Sequence, residues 1–202
     1  SVVENNRLQG PAFGVWLDAT PDVTVRENHI RGDTSLRSQD RGNGIHLFNT
    51  TGALIEGNDI SETRDAIYIE TANRNTIRGN VMSDLRYGIH YMYSMHNLLE
   101  NNVTRGTRTG YALMQSKYLK VFNNRSENDE NYGILMNFIT NSELRNNVVT
   151  GVSQGQSAGV VISGAEGKAV FIYNSLYNTF EGNYFGHSNI GIHLTAGSEE
   201  NQ

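Results

Sequence analysis

The sequence predicts an all-β, right-handed parallel β-helix that forms a single domain over residues 1–202, and three observations carry that expectation. An apolar strand led by Gly or Ala returns every 22 residues, as Ala66-Ile67-Tyr68-Ile69, Gly88-Ile89-His90-Tyr91 and Gly110-Tyr111-Ala112-Leu113, and after 23 as Gly133-Ile134-Leu135-Met136. A second register runs through an Asn that closes a turn, usually as Gly-Asn or Asn-Asn, at Asn6, Asn28, Asn58, Asn80, Asn102, Asn124, Asn147 and Asn183. The composition holds only 2 Pro but 21 Gly, with β-branched and aromatic residues in short runs, which favours short strands joined by turns. A fixed period of this size marks a solenoid, and a 22-residue coil has room for about three short strands with tight bends.

Within each coil the elements follow in order. A first strand carries an inward residue three positions before the Asn: Val25, Ile55, Ile77, Leu99, Val121, Leu144 and Phe180. The Asn then turns the chain, and its stacked counterparts predict a ladder of side-chain amides about 4.8 Å apart, each bonding a neighbouring coil. Asn28, Asn58, Asn80, Asn102, Asn124, Asn147 and Asn183 form that ladder. Asn102-Val103-Thr104 and Asn124-Arg125-Ser126 match the glycosylation sequon only because they sit on it. A second strand places Ile30, Ile60, Met82, Thr104, Val149 and Phe185 inward, two residues after the Asn. The Gly-led third strand points alternate residues inward: Ile45 and Leu47, Ile67 and Ile69, Ile89 and Tyr91, Tyr111 and Leu113, Ile134 and Met136, Val160 and Ile162, Ile192 and Leu194.

The period is interrupted in three places, where functional loops of repeat proteins sit. Residues 31–42 are polar surplus, residues 151–158 are a Gly/Ser/Gln loop, and residues 164–175 contain the run Ala169-Val170-Phe171-Ile172-Tyr173, too strand-like for a plain loop. The chain begins and stops in mid-repeat, at residues 1–6 and 199–202, as expected of a solenoid trimmed at both ends.

A formal net charge of −5 with interspersed signs argues against nucleic acid as a partner. Zero Cys removes disulfides and thiolate ligands. No apolar run has the length of a membrane span, so any membrane contact is expected to be through a partner.

A solenoid converts period into vertical columns. Beside the third strand the outward pairs are Trp16 and Asp18, His46 and Phe48, Tyr68 and Glu70, His90 and Met92, Ala112 and Met114, Leu135 and Asn137, Val161 and Ser163, His193 and Thr195. His90, Met92 and Met114 share one patch, and Met95 and His96 follow in the next turn. Thioether plus imidazole without thiolate suits Cu(I) held transiently. The alternative is an apolar face covered by a protein partner without metal. A charged column, Arg64, Arg86 and Arg108 beside Glu62, Asp84 and Asp129, reads as a surface charge ladder or an anion-binding stripe. Catalysis on polysaccharide, of the epimerase or lyase kind, needs a carboxylate gathered with His and Arg; Asp65 with Arg64, Asp84 and Arg86 is the one passable cluster, and it has no His in its own column.

Several segments carry residues beyond the ladder itself: Tyr87-Gly88-Ile89-His90-Tyr91-Met92-Tyr93-Ser94, Thr107-Arg108-Thr109-Gly110-Tyr111-Ala112-Leu113-Met114-Gln115-Ser116, Asn131-Tyr132-Gly133-Ile134-Leu135-Met136-Asn137, residues 164–175, and Ile190-Gly191-Ile192-His193-Leu194-Thr195-Ala196-Gly197-Ser198-Glu199. Over residues 60–202 the chain resembles the NosD family of β-helix accessory proteins. The resemblance implies a non-enzymatic periplasmic protein that takes part in copper delivery to nitrous oxide reductase, with an ABC transporter permease, a copper chaperone and the reductase as partners. It strengthens copper at His90, Met92, Met114, Met95 and His96, and partner contact at Ala165, Glu166, Lys168, Phe171 and Tyr173.

Overall fold

The computed structural model describes residues 1–153 and 167–202. Its 24 strands form three eight-stranded parallel sheets, one strand of each sheet per coil. The first sheet starts with Val2–Glu4, Thr24–Arg26 and Leu54–Glu56, the second with Arg7–Gln9, His29–Arg31 and Asp59–Ser61, the third with Val15–Asp18, Ile45–Phe48 and Asp65–Glu70. The chain is thus a parallel β-solenoid, as its period predicts.

Alternation sorts the residues as expected. Ile45, Leu47, Ile67, Ile69, Ile89, Tyr91, Leu113, Ile134 and Met136 are wholly buried, as are Ile55, Ile60, Ile77, Met82, Leu99 and Val121. Ile192 and Leu194 are the exception, at 55% and 53% exposure, because they lie on the last strand of the stack and no coil covers them. Glycine leads the third strand because this backbone closes on its neighbours: a Cβ on Gly88 would lie 2.4 Å from Thr104 Cγ2 and 2.5 Å from the Gly110 carbonyl oxygen.

The Asn ladder is continuous. The Asn80 side-chain oxygen accepts the Asn58 backbone N–H at 2.9 Å and its amide at 3.0 Å, while the Asn80 amide donates to the Ile55 carbonyl at 3.0 Å. The same pattern runs from Asn28 to Asn183. The Gly-Asn and Asn-Asn signature has a backbone cause: the residue before each rung has positive φ, including Gly57, Gly79, Asn101, Asn123, Asn146 and Gly182. Asn102 and Asn124 are 0% and 1% exposed, so the two sequons are closed to glycosylation. A second ladder, which the sequence reading missed, links Ala53 N–H to Asn75, Asn75 to Asn97, Ser142 to Asn178 and Asn178 to Asn201.

One coil is assigned differently. Val160 and Ile162 lie outside the described residues, and the third-sheet position belongs to Lys168–Tyr173, with Ile134 beside Val170 and Met136 beside Ile172. The run at 169–173 is therefore a regular coil strand and not an addition. Ala169 takes the place of the leading Gly, as Ala66 does, and both are wholly buried. The motif misled because Gly159 also precedes an apolar pair. Among the predicted partner-contact residues, Ala165 and Glu166 lie outside the described residues, Lys168 is buried, and Phe171 and Tyr173 are half-buried on the outward face.

Candidate functional site on the outer face of the third sheet

The third sheet aligns Trp16, His46, Tyr68 and His90 in successive coils, followed by Ala112, Leu135, Phe171 and His193. Phe171 and Tyr173 hold the positions that the spacing assigned to Val161 and Ser163. The rings form a π-column: Trp16 stacks on His46 at 4.3 Å, His46 meets Tyr68 at 4.8 Å, and Tyr68 meets His90 at 4.7 Å. Phe13 packs across its start, 4.5 Å from Trp16 and 5.4 Å from His46.

The column ends on a buried charge cluster. Arg86 clamps Asp65 through two hydrogen bonds, Nε to Oδ1 at 2.8 Å and Nη2 to Oδ2 at 2.6 Å. His90 Nδ1 lies 3.0 Å from Asp65 Oδ2. An ionised carboxylate only accepts, so Nδ1 carries a proton, and in the neutral imidazole this leaves the lone pair on Nε2. Nε2 is buried and has no partner among the described residues. Burial pushes the Asp65 carboxyl up, yet the His90 and Arg86 hydrogen bonds and charges together hold it below the ordinary aspartate range. The Arg86 guanidinium also lies over the Tyr87 ring at 4.4 Å, and Tyr87 packs on His90 at 5.0 Å.

Asp65 has no His in its own column, where Tyr87 is its neighbour, yet it does have a His partner from another column. His90 belongs to the column of Tyr68 and reaches Asp65 diagonally from the next coil. The charge ladder is also not a surface ladder throughout. Arg86 pairs with Asp65 and not with Asp84, and Asp129 is wholly buried, accepting hydrogen bonds from Ser126, Thr104 and Thr107.

Beside this cluster is a cavity of about 280 Å³ lined by Phe13, Asn43, Arg64, Tyr68, Arg86 and His90 among others. Asn43 donates to His46 Nδ1 at 3.2 Å, which keeps that nitrogen unprotonated, and burial lowers the His46 pKa. Burial, then the charges of Glu70 and Asp65, push the Tyr68 hydroxyl up to about 12. The surplus at residues 31–42 leads into this wall: Gly42 N–H donates to the Pro11 carbonyl and Arg64 N–H to the Gly42 carbonyl, both at 2.9 Å.

The predicted metal residues divide into two groups. His90, Met92 and Met114 lie on the sheet face; Met92 and Met114 are half-buried, and pairing of Tyr91 with Leu113 puts them on adjacent coils. Met95 and His96 lie in the turn beyond. Met95 lines a separate cavity of about 320 Å³ with Tyr93, Lys117 and Phe138, and exposed His96 stacks on Tyr118 at 4.8 Å. Among the described residues no three His, Asp or Glu side chains are grouped to hold a metal ion. No helix among the described residues is long and apolar enough to cross a membrane.

Solved structures share the fold at low identity: an exopolygalacturonase from Thermotoga maritima (14% identity, TM-score 0.64, 90% of this chain and 48% of that one) and the surface adhesin PfbA of Streptococcus pneumoniae (9%, 0.61, 100% and 66%). A family model described as "Periplasmic copper-binding protein (NosD)" matches residues 26–202. Proteins named "Probable ABC transporter binding protein NosD" are 64% identical in Pseudomonas aeruginosa over 100% of this chain and 47% of the relative, and 60% identical in Stutzerimonas stutzeri over 99% and 46%. The chain spans about half the length of the curated relatives it matches. With the solenoid, the third-strand motifs and these matches in agreement, the chain belongs to the NosD family, described as periplasmic copper-binding proteins.

Proposed function

We propose that this solenoid segment is a non-enzymatic periplasmic module that holds Cu(I) transiently for delivery to nitrous oxide reductase. It works with an ABC transporter permease and receives the metal from a copper chaperone. The observation that carries this reading is His90: Asp65 fixes its tautomer from Nδ1, and Nε2, without a hydrogen-bond partner among the described residues, is a ligand atom on the face where Met92 and Met114 neighbour each other. A carboxylate behind a ligating imidazole sets its orientation and raises its basicity, and thioether with imidazole suits Cu(I). The rings of Tyr68 and Tyr87 flank the imidazole, so metal reaches Nε2 by displacing one of them. Phe171 and Tyr173, further along the same face, are the proposed protein-contact residues, with Ala165, Glu166 and Lys168 beside them in sequence. The family description and the relatives' printed names support the copper and transporter parts.

Competition against a colorimetric Cu(I) chelator tests the proposal. The unmodified chain is expected to withdraw Cu(I), and His90→Ala with Met92→Ala to weaken it by roughly 10-fold to 100-fold, the range seen when a metal site loses an ordering or donor group. Failure of the unmodified chain to compete removes the proposal. Transporter pull-down lost on Phe171→Ala with Tyr173→Ala, in a chain that binds no copper, favours the metal-free scaffold instead.

A further inference from the structure

The cavity beside His90 holds a charge that the copper reading does not use. Arg86 is neutralised by Asp65, but Arg64, on the same wall, has no ion pair among the described residues, and its Nε is buried without a hydrogen-bond partner. A buried donor left unpaired is destabilising, and a bound anion relieves it. The planar guanidinium matches a carboxylate, and with Asp65 in the same cavity one negative charge is accommodated better than two. The remaining wall is divided between polar atoms and an open ring. His90 Nε2 lacks a hydrogen-bond donor among the described residues, and the Tyr68 hydroxyl also lines the cavity. Phe13, 42% exposed, presents an apolar face at the rim, with Trp16, 51% exposed, packed against it.

We propose that this cavity binds a sugar acid: a pyranose ring whose carboxylate pairs with Arg64, whose hydroxyl donates to His90 Nε2 once the Tyr68 or Tyr87 ring moves aside, and whose C–H face lies on Phe13. An aromatic acid satisfies Arg64 but leaves His90 Nε2 unpaired; a neutral sugar leaves Arg64 without a counter-charge. A volume of about 280 Å³ is near the lower end of ligand pockets, enough for one ring. The site shares His90 Nε2 with the copper reading but not Met92 or Met114, so Cu(I) and the sugar acid compete for that nitrogen and the titration is run without metal.

Calorimetric titration of the metal-free full chain with galacturonate, galactose and benzoate tests it. Galacturonate is expected to bind in the millimolar range or tighter and each control at least about 10-fold more weakly, a difference of roughly 1.4 kcal/mol. Arg64→Met is expected to abolish galacturonate binding, and Phe13→Ala, a change at an exposed ring that leaves folding intact, to weaken it severalfold. Met92→Ala with Met114→Ala leaves it unchanged. No galacturonate binding, equal binding of galactose or benzoate, or unaltered binding by Phe13→Ala and by folded Arg64→Met overturns the proposal.

Discussion

Asp65→Ala is expected to lower stability by roughly 3–5 kcal/mol in urea denaturation at pH 7, the usual cost of removing one partner of a buried ion pair. The Asp65 side chain is 1% exposed and Arg86 only 22%, so the guanidinium left behind has little water to replace the carboxylate. His90 loses its Nδ1 acceptor at the same time. The pH dependence follows from sign. A carboxyl whose folded pKa is depressed contributes stability that is fully present above its unfolded value, about 3.9, and is lost as pH falls through the folded one. The gap between the unmodified chain and Asp65→Ala should therefore hold at neutral pH and shrink below about pH 4. Asp129 works in the opposite direction. Burial raises its pKa despite the hydrogen bonds from Ser126, Thr104 and Thr107, so its protonated form is favoured on folding and its contribution grows as pH falls. A gap independent of pH would show that the Asp65 charge is not what holds Arg86.

Asn102→Ala is expected to cost a similar amount, about 3–5 kcal/mol, through hydrogen bonds alone. The side-chain oxygen accepts the Asn80 backbone N–H at 3.1 Å and amide at 3.0 Å; the Asn102 amide donates to the Ile77 carbonyl at 2.9 Å and to the Asn124 oxygen at 3.0 Å. All four lie at a position with 0% exposure, so truncation leaves donors and acceptors on the two adjoining coils with no water to turn to. Asn6, at the exposed end of the ladder, is the control. Its loss should cost under about 1 kcal/mol, because solvent reaches the groups it leaves. Denaturation midpoints check both, and faster exchange of the Asn80 amide locates the damage. Equal effects at Asn6 and Asn102 would mean that the ladder contributes by turn propensity and not by buried hydrogen bonding.

The fold was legible because a solenoid repeats its physics. Each coil must place apolar residues inward at the same steps, close its bend with a left-handed residue, and satisfy the bend's amides, so Gly-Asn and Asn-Asn recur. What was lost follows from the same regularity. The second Asn ladder escaped notice because Leu119 and Ser142 occupy its middle, and a serine hydroxyl accepts the Leu119 N–H as an Asn oxygen would. The coil after Asn147 was misplaced because Gly159 resembles the leading Gly, whereas Ala169 has the real place. The Asp65–His90 contact was invisible to column counting, which registers vertical neighbours 22 residues apart and misses a diagonal partner 25 apart. That contact gives the candidate site its chemistry: it decides which nitrogen of His90 is a donor.

Copper K-edge X-ray absorption of the Cu(I)-loaded full chain tests the central claim most directly. Cu(I) held by the outer face of the third sheet should show both sulfur and imidazole nitrogen scattering, and Met92→Ala with Met114→Ala should remove the sulfur shell. A spectrum with only nitrogen and oxygen neighbours, or a sulfur shell that survives the double substitution, would contradict the assignment of this face as the copper-holding site.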